Sequence, residues 1–118
     1  MARRALRFNS FAAVVLLTLS LSSWAQFAQR GSLGGSVFDS SGAVVPGAEI
    51  TLLDVNENQS RKLAADKEGH FAFTNLTAGQ YRLTASHEGF QTETSATITV
   101  NLGTVANYDF RLHPGSTH

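Results

Sequence analysis

Hydrophobic and polar residues alternate with a period of two in most of the chain after residue 25, and no stretch there shows the spacing of three and four that marks an amphipathic helix. In one clear case Phe71 and Phe73 alternate with His70, Ala72 and Thr74. A period of two places successive side chains on opposite faces of a β-strand. The pattern therefore predicts half-buried strands, each with one face toward a core.

Short turn sequences separate the alternating runs, namely DSSG, PG, VNEN, DKEG, TAG, HEG and NLG. Strands separated by turns at roughly 8–12-residue spacing are typical of an antiparallel sandwich. We predict an all-β, antiparallel Greek-key β-sandwich of about seven strands. The strands are expected near residues 32–38, 47–54, 60–65, 70–75, 80–87, 92–100 and 104–112.

The stretch 66–90 concentrates acids and histidines among aromatic residues, so it is either a metal or acid–base site or a set of turns on the solvent side of a sheet. Asp66 and Gly69 bracket a tight loop, where Asp bonds its own backbone and Gly takes a positive φ. His70 has outward parity, because the phenylalanines of its strand claim the inner face. HEG at 87–89 closes the next strand as another turn. The pattern favours turns and solvent face.

The N-terminus has the order of a cleavable secretory signal peptide. Residues 1–7 are basic without an acid, residues 11–21 form an apolar run, and Ser23 and Ala25 occupy the −3 and −1 positions of a cleavage site. A membrane-spanning helix needs roughly 17–25 apolar residues. The run is shorter than that, so we predict cleavage after Ala25 and no membrane span in the mature chain.

These boundaries divide the chain into four parts. Residues 1–25 are the predicted signal peptide, 26–30 a short linker, 31–112 the sandwich and 113–118 a flexible tail. Export predicts a location in the periplasm, at the cell surface or outside the cell.

Charge and cysteine content narrow the classes of function. Three arginines leave with the signal peptide, so six basic residues remain against nine acidic ones. This balance argues against nucleic acid and anionic lipid as partners. The chain has no Cys, which excludes thiol chemistry and a lipid-anchored lipoprotein. A small exported domain without disulfides must rely on a well-paired sheet core.

The chain resembles the carboxypeptidase regulatory-like domain, which belongs with the transthyretin-like and Cna-B-like sandwiches. The resemblance covers roughly residues 31–112 and rests on the segments GGSVFDSSGAVVPGAEITLLD, DKEGHFAFTNLTAGQYRLTASHEGFQ and ITVNLGTVANYDFRL. It implies a prealbumin-like sandwich. The positions that match the family pattern have structural roles, and the resemblance therefore implies a fold without a site. These framework residues are Gly35, Val37, Asp39, Gly42, Pro46, Gly47, Ala48, Asp66, Gly69, Phe71, Phe73, Leu76, Gly79, Tyr81, Gly89 and Phe90.

The resemblance also implies a biological setting. Domains of this family are accessory modules that occur beside carboxypeptidases, in surface adhesins, and at the mature N-terminus of TonB-dependent outer-membrane receptors. A signal peptide followed directly by such a domain is similar to the last arrangement. It implies an outer-membrane location if the domain is part of a longer receptor, and a free-standing exported domain otherwise.

The sequence does not carry a recognisable catalytic pattern. His70 and His87 lack the companion ligands of a zinc hydrolase motif. The DKEG turn lacks the oxygen ligands of a calcium loop. The chain ends RLHPGSTH, unlike the Tyr-Arg-Gly-Ser end of the related hydroxyisourate hydrolases, and its lysines, Lys62 and Lys67, are misplaced for a Cna-B isopeptide bond. We predict no enzyme activity, no cofactor and no metal.

The predicted function is a non-catalytic, exported interaction or structural module, with a protein or a polysaccharide as its partner. The alternative is a carbohydrate-binding module of the same sandwich type. Its candidate contacts are Phe38 and Phe90 as aromatic platforms, with Asp39 and Gln91 as hydrogen-bonding neighbours. An accessible patch that joins the two phenylalanines would favour the alternative, whereas an unpaired edge strand would favour the first function.

Overall fold

The computed structural model describes residues 30–115. The predicted signal peptide and most of the predicted linker lie outside these residues. The described chain consists of strands and connecting turns. It contains no helix that is long and apolar enough to cross a membrane.

The strands form two sheets that pack face to face, so the predicted all-β sandwich is confirmed. The nine strands are β1 (Gly31–Asp39), β2 (Glu49–Asp54), β3 (Gln59–Ala64), β4 (His70–Leu76), β5 (Gly79–Ser86), β6 (Glu93–Thr94), β7 (Ile98–Val100), β8 (Val105–Asn107) and β9 (Phe110–Leu112). The first five match the first five predicted strands. Each of the last two predicted strands is split into two short ones.

One sheet has the order β4-β1-β8, with β9 also beside β1, and the other has the order β3-β2-β5-β6, with β7 also beside β5. All pairs are antiparallel except that β1 runs parallel to β8 and β9. The last strand segments therefore return beside the first strand and close the smaller sheet.

Ser95 causes the break between β6 and β7. Its N–H donates to the carbonyl of Leu83 at 2.8 Å, and its hydroxyl accepts the N–H of Leu83 at 2.9 Å and donates to the carbonyl of Ala96 at 2.8 Å. A side chain thus replaces a backbone partner at this point of the ladder. Ser95 is consequently the one buried polar residue among the described residues.

Asp109 has a similar role between β8 and β9, where its Oδ1 accepts the N–H of Ser36 at 2.9 Å. The neighbouring N–H of Tyr108 donates to the carbonyl of Gly34 at 2.8 Å. The split strand therefore stays bound to β1 along its whole length.

The core lies between the sheets and follows the parity that the alternation predicts. Its aromatic part joins Phe71 to Phe73, with ring centroids 6.4 Å apart, and to Phe110, at 6.1 Å. The buried hydrophobic residues are Leu33, Val37, Val45, Ala48, Ile50, Leu52, Ala65, Phe71, Phe73, Leu76, Tyr81, Leu83, Ala85, Val100, Phe110 and Leu112.

Candidate functional site

Phe38 and Asp39, two of the predicted contact residues, lie at the end of β1. Phe38 is half-buried, pairs with Arg111 of β9 and forms a bridge with Val44. Asp39 Oδ1 accepts hydrogen bonds from the Ser41 hydroxyl at 2.6 Å and from the Ser41 N–H at 2.8 Å. The hydroxyl bond is the main cause that holds the pKa of Asp39 below its usual value. This carboxylate therefore organises the turn that follows β1.

Phe90 and Gln91, the other two predicted contact residues, lie next to the end of the last strand. Phe90 packs partly against the core, and its ring centroid is 6.0 Å from that of His87. The N–H of Gln91 donates to the carbonyl of His113 at 2.8 Å, and Phe90 forms a bridge with Pro114.

Residues 113–115 are thus hydrogen-bonded where the sequence predicts the start of a flexible tail, because their backbone continues the pairing beyond β9. Phe38 and Phe90 do not stack on each other: Phe90 pairs with His87, and Phe38 is in none of the ring pairs of the described residues. A role of the four predicted residues in glycan or partner contact stays a prediction.

The DKEG sequence forms the turn that the pattern predicts. Asp66 Oδ1 accepts the N–H groups of Glu68 and His70, both at 2.9 Å, and the N–H of Gly69 donates to the carbonyl of Asp66 at 3.0 Å. His70 is exposed. Within residues 30–115 no three histidine or acidic side chains come together in a way that could hold a metal ion. Asp66 thus has a structural role.

The turn makes the acid stability of the fold depend on Asp66. The N–H of His70 is the main cause that holds the pKa of Asp66 below its ordinary value of 3.8; desolvation opposes this effect, and the Glu68 N–H adds to it. A carboxyl with a lowered pKa in the folded chain stabilises the fold fully above its unfolded value. That contribution is lost as the pH falls through the lower, folded value.

We therefore expect the unfolding free energy of Asp66→Asn to depend less on pH in the acid range than that of the parent. The difference in unfolding free energy between parent and variant should shrink as the pH falls from about 5 to about 2. Urea titrations at a series of pH values measure it. Glu68→Gln removes the same charge from the same loop and should keep the parent's profile. A constant difference between parent and Asp66→Asn over this range would contradict the assignment.

Three of the four outer sheet edges are partly covered or interrupted. On β4, Asp66 bonds both main-chain groups of His70, and Arg61 Nη1 donates to the carbonyl of Thr74 at 3.2 Å. The edges formed by β6 with β7 and by β8 with β9 consist of short segments. Bonded side chains and short edge segments protect sheet edges from pairing with other chains.

The fourth edge, β3, is continuous and pairs only with β2. The N–H of Ala65 donates to the carbonyl of Ala48 at 2.8 Å. Because main-chain groups alternate in direction along a strand, the odd-numbered residues of β3 face β2. The even-numbered residues Ser60, Lys62 and Ala64 then direct their N–H and C=O groups to the open side. We call these three residues the β3 edge.

A cleft of about 270 Å³ lies where the β2–β3 hairpin meets the corner between β4 and β5. We call it the corner cleft. Its floor contains core side chains, and its walls carry charged and polar groups. It is lined by Arg30, Leu52, Asp54, Glu57, Gln59, Ser60, Arg61, Leu76, Thr77 and Tyr81.

Sequence reasoning did not find the corner cleft, but one signal for it was present. Arg61 pairs with the buried Leu52 and is two residues from Leu63, which packs against the core. A charged residue at inward parity on a strand marks a place where the core opens.

Comparison with protein families gives one match. The model of the carboxypeptidase regulatory-like domain matches residues 32–113. No curated protein matches the sequence.

Comparison with solved structures gives likeness of fold. The minor pilin of Streptococcus agalactiae is 16% identical, with a TM-score of 0.64 and coverage of 77% of this chain and 47% of the pilin. A protein from Bacteroides uniformis that is named for carbohydrate binding is 19% identical, with a TM-score of 0.57 and coverage of 70% and 41%. Catechol 1,2-dioxygenase from Pseudomonas arvilla is 13% identical, with a TM-score of 0.62 and coverage of 78% and 54%.

These identities are too low to carry more than the fold, and the dioxygenase likeness therefore does not indicate catalysis. The chain spans between 17% and 61% of the lengths of the similar solved chains. It corresponds to one part of each of those proteins.

Proposed function

Because the chain belongs to the carboxypeptidase regulatory-like domain family, we propose that it is a non-catalytic interaction module of an exported protein, and that it binds a protein partner along the β3 edge. The observation that carries this proposal is the unpaired edge itself. Three residues present six main-chain groups in one row, on a strand of six residues. An extended segment of a partner can pair with such a row as an additional strand.

The energy of such pairing supports specific but reversible binding. Each main-chain hydrogen bond contributes a net of about 0.5–1.5 kcal/mol. The side chains of β3 add a preference, since the strand carries Arg61 and Lys62 and no acid. Lys62 is only loosely paired, with its Nζ 3.7 Å from Glu49 Oε1 and both side chains largely exposed. A partner strand with acidic residues fits this edge best.

Export is supported by the signal-peptide pattern of residues 1–25. The likeness of the fold to a minor pilin is consistent with a role at the cell surface. The order of signal peptide and domain supports a placement at the mature N-terminus of a TonB-dependent outer-membrane receptor.

Native cells, fractionated and blotted with an antibody against residues 26–118, test this placement. A band far larger than the calculated 12.6 kDa in the outer membrane is expected. A small soluble exported band would overturn the receptor placement and leave the interaction module intact. A cytoplasmic band would overturn export.

Photo-crosslinking in cells of the source organism tests the binding edge. A photo-reactive residue replaces Lys62 in one variant and Arg82, on β5 of the same sheet, in the control. We expect one discrete adduct from position 62 and none from position 82, with the crosslink mapped to an extended segment of the partner. No adduct at position 62, or equal adducts at both positions, would contradict the proposal.

Proline substitutions test the orientation of the edge independently of any partner. Proline lacks the N–H donor and is tolerated in strands only where that group faces solvent. Lys62→Pro should therefore destabilise the fold less than Arg61→Pro, which removes a ladder bond to β2, by about 1–2 kcal/mol. Chemical denaturation of both variants measures the difference. Equal losses, or a larger loss for Lys62→Pro, would show that the N–H of Lys62 is not free.

A further inference from the structure

The corner cleft adjoins the β3 edge at Ser60, but its other lining residues lie outside that edge. Its floor is formed by Leu52, Leu76 and Tyr81, which are 1%, 1% and 3% exposed. The floor is therefore part of the packed core and has a fixed shape. Because these side chains expose almost no surface, a ligand in the cleft would contact mainly the polar walls.

The polar groups on the cleft walls are held in place and keep bonding capacity. Asp54 Oδ1 accepts the N–H groups of Asn56 at 3.0 Å and Glu57 at 3.2 Å. The second carboxylate oxygen of Asp54 is not used in these bonds. Arg61 uses Nη1 for the carbonyl of Thr74 at 3.2 Å, and a guanidinium has five N–H donors. Both groups are thus oriented before any ligand arrives.

The Tyr81 hydroxyl fixes the other wall. It donates to the carbonyl of Thr77 at 2.7 Å and lies 3.1 Å from the Thr77 hydroxyl. These bonds lock the corner between β4 and β5 against the core. Thr77, which lines the cleft, is thereby held in a fixed position.

The charges of the cleft sum to zero and are not paired with one another. Arg30 and Arg61 supply two positive charges, and Asp54 and Glu57 supply two negative ones. The ion pair of the described residues lies elsewhere, between Lys62 and Glu49. A strong anion or cation therefore gains no net attraction here. The matching ligand carries no net charge and offers both donors and acceptors.

We propose that the corner cleft binds a neutral saccharide. Neighbouring hydroxyls of a sugar ring accept from the fork of a guanidinium and donate to a carboxylate, and such charge-assisted bonds are the strong ones. The volume of about 270 Å³ is near the lower end for ligand sites, so the cleft takes a short segment of a glycan. This site differs from the patch that Phe38 and Phe90 would form.

An NMR titration of the uniformly ¹⁵N-labelled full chain tests this proposal. Cellobiose, maltose and chitobiose are added separately, with galacturonate and inorganic phosphate as charged comparisons. At least one neutral disaccharide should shift the amide signals of residues 54–61 and Thr77 in a saturable way. Arg61→Gln and Glu57→Gln should each weaken that binding about tenfold. Arg82→Gln removes the same charge from β5, away from the cleft, and should bind as the parent does.

Circular dichroism and thermal melts confirm that each variant is folded. If Arg61→Gln is unstable, Glu57→Gln tests the site in its place, because Glu57 is exposed. The proposal is overturned if none of the three disaccharides shifts these signals at about 10 mM, a concentration at which even millimolar binding is visible. It is also overturned if the shifts centre on Phe38 and Phe90, or if phosphate or galacturonate binds the cleft more tightly. The titration and its variants measure saccharide binding and not the pairing of a partner strand with the β3 edge, so failure here leaves the proposed function standing.

Discussion

Gly35→Ala is expected to destabilise the domain strongly. Gly35 lies in β1 and pairs with Phe71. A Cβ at this position would overlap the carbonyl oxygen of Tyr108, with the carbonyl carbon 2.6 Å away and Asp109 Oδ1 3.2 Å away. These atoms belong to the segment that joins β8 to β9.

That segment cannot retreat without losing the bonds that attach it to β1. The N–H of Tyr108 donates to Gly34 and the N–H of Ser36 donates to Asp109, at 2.8 and 2.9 Å. Overpacking of this kind costs about 1–3 kcal/mol or more, and the broken bonds add about 1 kcal/mol each. The total, about 4 kcal/mol, is a large share of the roughly 5–15 kcal/mol that stabilises a folded domain.

Thermal unfolding followed by circular dichroism measures the effect, with Gly79→Ala as the matched control. At Gly79 the nearest atom to a new Cβ is Asn56 Nδ2 at 3.6 Å, which is ordinary contact. We expect Gly79→Ala to change stability by less than about 1 kcal/mol. A Gly35→Ala variant that melts within a few degrees of the parent would refute the close approach of the two segments.

Phe71→Ala is expected to have the next largest effect, a loss of about 3–5 kcal/mol. Phe71 is 5% exposed and contacts the rings of Phe73 and Phe110, so its removal leaves a cavity where β4, β1 and β9 meet. Neighbouring side chains relax only in part into such a space.

Urea denaturation compares this variant with Phe38→Ala, which removes the same side chain from a half-buried position outside the core cluster. We expect Phe38→Ala to cost about 1 kcal/mol, since the lost burial is smaller and no closed cavity forms. Equal losses for the two variants would mean that Phe38 belongs to the core. It would then be unsuited to binding a ligand.

The alternation of residues was enough to predict the strands and the faces they bury. Phe71 and Phe73 point inward and His70 points outward, because a strand that has one buried face fixes its parity. The Asp66 turn was also predictable, since Asp and Gly at that spacing are typical of a tight turn between two strands. The resemblance to the family marked Gly35 as a framework position without giving the reason.

Features that depend on long-range contacts could not be predicted. The period of two continues through Ser95 and Asp109, so it does not reveal that their side chains replace backbone partners. The parallel pairing of β1 with the last two strands is a property of topology. The corner cleft joins residues as distant along the chain as Arg30 and Tyr81, and no local pattern connects them.

Amide hydrogen exchange, followed residue by residue in the full chain, tests the β3 edge most directly. In the free protein Ser60, Lys62 and Ala64 should exchange fast, whereas Arg61 and Leu63 should be protected by their bonds to β2. Addition of a detergent extract of the source cells' envelope should then protect Ser60, Lys62 and Ala64. The proposed function would be contradicted if the free chain lacks this alternation, or if these three amides stay unprotected in the extract while the domain remains folded.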